Sequence, residues 1–179
     1  NHDLRGHVGE VINSVGAAVF SNHRYDHDAL GRRTTRADSG AAYPNAAFDR
    51  YGYNGRSEVV SGRRYYGTDS ADISRPYGGR VFEYDYDAIG NRISASEQIG
   101  GVMLTRAYTA NALNQYTAIA NPDAVGLRGE AVSNTTVTVN SETVEQDQPA
   151  SGTWPWHFAL AADNAAGPVF PHAEIVAVI

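Results

Sequence analysis

One short pattern occurs five times in this chain, and a repeat restricts the fold more than any bulk property does. It consists of an aromatic residue, any residue, an aromatic or His, Asp or Asn, two further residues, Gly or Asn, then polar residues and a β-former. It reads Tyr25-Asp26-His27-Asp28-Ala29-Leu30-Gly31-Arg32-Arg33-Thr34 and again Tyr84-Asp85-Tyr86-Asp87-Ala88-Ile89-Gly90-Asn91-Arg92-Ile93. A third copy is Tyr108-Thr109-Ala110-Asn111-Ala112-Leu113-Asn114-Gln115-Tyr116-Thr117, and a truncated one is His2-Asp3-Leu4-Arg5-Gly6-His7-Val8. Tyr51-Gly52-Tyr53-Asn54-Gly55-Arg56-Ser57-Glu58-Val59 reads as a variant one residue shorter. The register residues Asp3, Asp28, Asn54, Asp87 and Asn111 follow one another after 25, 26, 33 and 24 residues. Intervals of this size mark stacked supersecondary units that must pack on their neighbours to bury a core. The long interval contains the polar, Pro-ended stretch 68–76, which reads as a loop insertion.

The motif has a mechanical reason. A type I turn takes Asp or Asn at its first position and Gly at its fourth. The side chain caps the turn's own N–H groups, and the Gly starts the return strand in a left-handed conformation. Asp3 with Gly6, Asp28 with Gly31, and Asp87 with Gly90 fit; in Asn111-Ala112-Leu113-Asn114, Asn replaces the Gly. Asn54-Gly55-Arg56-Ser57 does not fit, so a different turn is expected there. Tyr25, Tyr51, Tyr53, Tyr84, Tyr86 and Tyr108 are the repeat aromatics. Short β-type runs flank each turn, among them 81–86, 59–60, 102–104 and 116–119. No stretch reads as helix; the segment 11–20, with Gly16 and its β-branched residues, reads as strand–turn–strand. The expectation is an all-β chain: β-hairpin repeats stacked into a curved or spiral sheet over 1–120, then a small sandwich-like β module over 121–179.

The Tyr-x-Tyr-Asp-Ala-Ile-Gly-Asn-Arg segment ending at Arg92, together with the other copies, resembles the YD repeat of the Rhs family. That family includes bacterial Rhs proteins, Tc-toxin shells and teneurin ectodomains, and the resemblance covers residues 1–120. It implies that each repeat adds a hairpin to a long sheet that spirals into a toxin-enclosing shell or builds an extracellular barrel. By the same resemblance the protein is a secreted or cell-surface bacterial scaffold, a fragment of something larger. Known shells use many more repeats than five. The Asp-Pro-x-Gly-Leu element linked to self-cleavage is not reproduced, since Asp123-Ala124-Val125-Gly126-Leu127 lacks the Pro.

After Pro122 the composition shifts. The stretch 136–144 reads as strand, Asn-Ser turn, strand, with Val137 and Val139 on one face and Thr136 and Thr138 on the other. A strand over 154–160, a turn over 161–168 and a terminal strand over 173–179 follow. An apolar strand at an array's edge carries unpaired N–H and C=O groups. The partners expected are therefore further repeats, or copies of the chain itself, joined by strand addition.

Composition narrows the chemistry. There is no Cys, which excludes disulfides, thiol catalysis and Cys-based zinc sites. The net charge is −6, which argues against a nucleic-acid surface, and no apolar run is long enough to span a bilayer. All 14 basic residues are Arg; Arg32, Arg33, Arg56, Arg63, Arg64 and Arg92 recur beside the turn acids, and a ladder of Arg–carboxylate pairs between repeats is one reading. None of the six His sits in a recognised metal spacing. His23 and His27 with Asp26 and Asp28, or Asp85 with Asp87, read first as solvated turns and only second as cation sites. No P-loop, GxGxxG or nucleophile elbow is present. The chain is thus read as a non-enzyme without cofactor or metal. Trp154 and Trp156 read first as core residues and second as platforms for sugar rings, giving a carbohydrate-binding or cell-surface adhesion module as the alternative function.

Overall fold

The computed structural model describes residues 1–179, in fifteen β-strands and no helix. The all-β expectation holds. The chain forms two compact units, residues 1–77 with 149–152, and residues 78–148 with 153–179.

In the first unit β1 (Glu10–Val15), β2 (Ala18–His27), β3 (Arg33–Ser39), β4 (Ala47–Tyr53) and β5 (Val59–Tyr66) form an antiparallel meander in chain order. The segment 11–20 is a strand, a tight turn with Gly16 at φ 61°, and a strand, as its β-branched content required. Phe48 on β4 is completely buried and faces its cross-strand partner Tyr65 on β5, the rings stacked 5.4 Å apart. Burying a side chain of that size stabilises by about 2–3 kcal/mol. Ala47 and Tyr66 extend this core, and Tyr77 stacks on Tyr66 at 4.6 Å. The inserted loop before Pro76 turns on Asp69 and Asp72, whose carboxylates accept from the N–H groups of Ala71 and Ser74.

The second unit begins within β6 (Pro76–Tyr86), which continues through β7 (Arg92–Ile99), β8 (Val102–Ala110) and β9 (Tyr116–Ala120) as another antiparallel meander. Two small sheets follow. One contains β10 (Ala124–Ala131), β14 (Trp154–Ala161) and β13 (Glu145–Gln146); the other contains β12 (Glu142–Thr143), β11 (Thr136–Val139) and β15 (Ile175–Val178). Their core is Val137, Val139, Val144, Trp156 and Leu160, with Leu127 and Phe158 against it. Period-2 alternation puts Val137 and Val139 inside, both essentially unexposed. Asn140 and Ser141, both at positive φ, make the two-residue turn between β11 and β12. The terminal strand β15 pairs with β11 inside the chain, its residues still exposed.

Gly126 and Gly129 on β10 are there for space. A Cβ at Gly126 would run into the buried Ile99 side chain, and one at Gly129 into the Trp156 indole. Ile99 therefore seats the four-strand meander of this unit directly on the backbone of β10.

Candidate functional site

The chain's distinguishing feature is one turn used five times, three times in the first unit and twice in the second. At each, the Asp or Asn carbonyl or carboxylate oxygen Oδ1 accepts from the N–H groups two and four residues on. Asp3 accepts from Arg5 and His7, Asp28 from Leu30 and Arg32, and Asn54 from Arg56 and Glu58. Asp87 accepts from Ile89 and Asn91, and Asn111 from Leu113 and Gln115. The second side-chain atom reaches the side chain four residues on: His7, Arg32, Glu58, Asn91 and Gln115 respectively. In every copy the fourth turn residue has positive φ: Gly6 85°, Gly31 79°, Ser57 66°, Gly90 95° and Asn114 60°.

The variant at Asn54 is thus no different turn and no shorter one, correcting the expectation from its sequence. Its hydrogen bonds match those of the others, with Ser57 forced into the left-handed position. Ahead of four of the turns the register slips by one residue, at Asp26/His27, Gly52/Tyr53, Asp85/Tyr86 and Thr109/Ala110. This bulge brings the repeat aromatic beside the first residue of the return strand. Arg33 lies over Tyr25 at 4.3 Å, Arg92 over Tyr84 at 4.9 Å, and Tyr116 against Tyr108 at 5.4 Å.

Contacts also pass from turn to turn. Arg5 Nη1 donates to Ala29 O at 3.2 Å, Arg32 Nη1 to Asn54 O at 3.4 Å, and Asn91 Nδ2 to Asn114 Oδ1 at 3.4 Å. Tyr53 donates its hydroxyl to Arg33 O, and Arg92 N–H donates to the Tyr116 hydroxyl. The expected Arg–carboxylate ladder is only partly of this kind. Arg32 and Arg56 pair with Asp28 and Glu58 of their own turns, while Arg33 and Arg92 lie on tyrosines.

Arg64 makes the cross-strand pairs, donating to Asp38 and Asp49 at 2.9 Å each. Asp38 is 2% exposed and also takes His23 Nδ1 at 2.7 Å and Arg36 Nε at 3.0 Å. Burial pushes its carboxyl up, but the hydrogen bonds from His23 and Arg64 and the charges of Arg64 and Arg36 outweigh it and hold it below the usual range.

The carboxylates suggested beside His23 and His27 are otherwise engaged. Asp26 accepts from Thr35 Oγ1, Asp28 caps its turn, and His23 is held by Asp38. Asp85 accepts from Ser94 while Asp87 caps. His27 instead stacks on His7, with ring centroids 4.9 Å apart.

The second unit also carries an open cleft of about 580 Å³. Phe82, Tyr84 and Tyr108 supply aromatic surface; Arg92, Arg106, Glu97, Asn121 and Asn164 supply polar groups. Its one carboxylate, Glu97, pairs with Arg128 at 2.7 Å. Of the two tryptophans offered as sugar platforms, Trp156 is 7% exposed and belongs to the core of the small sheets, and Trp154 is half-buried. Burial removes Trp156 from any ligand-facing role.

No protein-family model matches this chain, and no curated protein matches it.

Proposed function

We propose that the chain is a non-catalytic structural scaffold, a run of YD-type repeats that contributes hairpins to a secreted or surface-borne bacterial β-shell or to a self-assembling filament. The observation that supports this most is that all five turns share the same pair of Oδ1 hydrogen bonds, with further bonds between neighbouring turns inside each unit. An array that grows by adding copies needs a unit of that kind, because each unit then presents its neighbour with the same interface. Strand β9 pairs along one edge only and every one of its residues is exposed; β1 has no second strand beside it, although Asn1 bonds to its first residue, Glu10. A free edge of that kind accepts another strand. The toxin-enclosing form of the reading rests on the sequence resemblance.

The test is light scattering across a concentration series with negative-stain electron microscopy of the purified chain. Particle mass rising with concentration, with stacks or filaments on the grid, is the expected result. A monomer of constant mass at every concentration would overturn the reading.

The cleft favours a second reading, a carbohydrate-binding adhesion module. Tyrosine faces beside Arg, Asn and Glu side chains are what a sugar ring needs: an apolar face to stack on and hydrogen-bond partners at its edge. Titration of neutral oligosaccharides against the chain, followed by NMR, would move the signals of Tyr84 and Tyr108; unmoved signals would dismiss it.

A further inference from the structure

Within the first unit the contact between consecutive turns uses two positions: the residue four after the register Asp or Asn, and the residue just before the next register residue. Between the second and third copies these are Arg32 and Tyr53, with the guanidinium 4.7 Å from the ring centroid. Between the first and second copies they are His7 and His27, stacked at 4.9 Å. Elsewhere the first position holds Arg32, Glu58, Asn91 or Gln115, and the second holds Tyr53, Tyr86 or Ala110. This junction alone has an imidazole at both. It also has a register carboxylate: Asp3 Oδ2 lies 3.1 Å from His7 Nδ1 while Oδ1 is occupied by the turn.

One ligand atom from each of Asp3, His7 and His27 lies within 4.8 Å of the others, and all three residues are half-buried. We infer that this junction is a binding site for a divalent first-row transition ion, with zinc the simplest occupant. Two imidazoles and a carboxylate form a borderline donor set that suits zinc, nickel or copper better than calcium or magnesium. Ligand atoms on a tetrahedral zinc stand about 3.3 Å apart, from bond lengths of about 2.0–2.1 Å. The present spread of up to 4.8 Å has to close to that on binding, with the turn holding Asp3 and His7 and the bulge holding His27. Three protein ligands leave a fourth position for water. The ion would clip the first two repeats together where Arg32 and Tyr53 do so in the next pair.

The test is isothermal titration of Zn²⁺ into the full chain at neutral pH, with His7→Asn and His27→Tyr beside the wild type. Both substitutions install what other copies already carry at these positions, Asn91 and Tyr53, so the capped turn survives in both. One saturable Zn²⁺ per chain, weakened at least about tenfold in either variant, is the expected outcome. No saturable binding, or binding as strong in either variant as in the wild type, would overturn the inference. A readout that needs no variant is paramagnetic broadening by substoichiometric Cu²⁺. His7 and His27 ring signals should broaden ahead of those of His2, His23, His157 and His172, and broadening of the latter first would also sink the site.

Discussion

Ser57 occupies the backbone position that Gly31 occupies one repeat earlier, at φ 66° against 79°, and closes its turn with the same Ser57 N–H to Asn54 O bond that Gly31 makes to Asp28. A side chain in that conformation costs about 1–2 kcal/mol, and part of that is returned by the lower chain entropy of a non-glycine residue. Ser57→Gly should therefore stabilise the first unit by about 0.5–1 kcal/mol, read as a higher urea midpoint. Gly90→Ala should do the reverse by about 1–2 kcal/mol.

Asn111 tests the cap. Asn111→Ala removes the acceptor for the Leu113 and Gln115 N–H groups and should cost about 1–2 kcal/mol. Asn111→Asp keeps that acceptor, which three other copies already use, and should leave the urea midpoint near the wild-type value. Equal losses in both variants would mean that the bonds to Oδ1 are not what holds the turn.

Acid should act through Asp38. Its carboxyl is lowered in the folded state, so its contribution is complete above the unfolded value of about 3.9 and is lost as pH falls through the lower folded value. Asp38→Asn leaves Arg64 and Arg36 facing an uncharged amide and should cost about 3 kcal/mol at pH 7. The gap between variant and wild type should narrow as pH falls below about 4. A gap constant from pH 7 to pH 2 would place the cost in packing rather than charge.

Trp156 separates core from platform. Trp156→Ala should cost about 3–5 kcal/mol by emptying the core between the small sheets. Gly129→Ala should cost about 1–3 kcal/mol by driving a methyl into the same indole. A stable Trp156→Ala variant would return that ring to the list of surface residues.

The turns were legible because capping is local: an Asp or Asn and a left-handed residue three places on are enough to specify them. Ser57 escapes the rule, which looks for Gly or Asn at the fourth place. The spacing from Asn54 to Glu58, identical to that from Asp28 to Arg32, carried the answer. The strands 136–139 and 154–161 were legible from alternation, for the same local reason. The Asp38–Arg64–His23 cluster was not, because its members lie on three strands and only the register brings them together. The His7–His27 contact is illegible to sequence spacing for a related reason: its two rings stand twenty residues apart and meet only across the junction between two repeats.

The capped turns are uniform, but the connections between the hairpins are not. β1 and β2 are joined by residues 16–17, β3 and β4 by 40–46, β5 and β6 by 67–75, and β7 and β8 by 100–101. Length thus varies in the connections between hairpins and not within the capped turns, each of which spans five residues. A chain of this kind can lengthen, shorten or decorate those connections freely, while each capped turn accepts only the few residue types able to close the same loop.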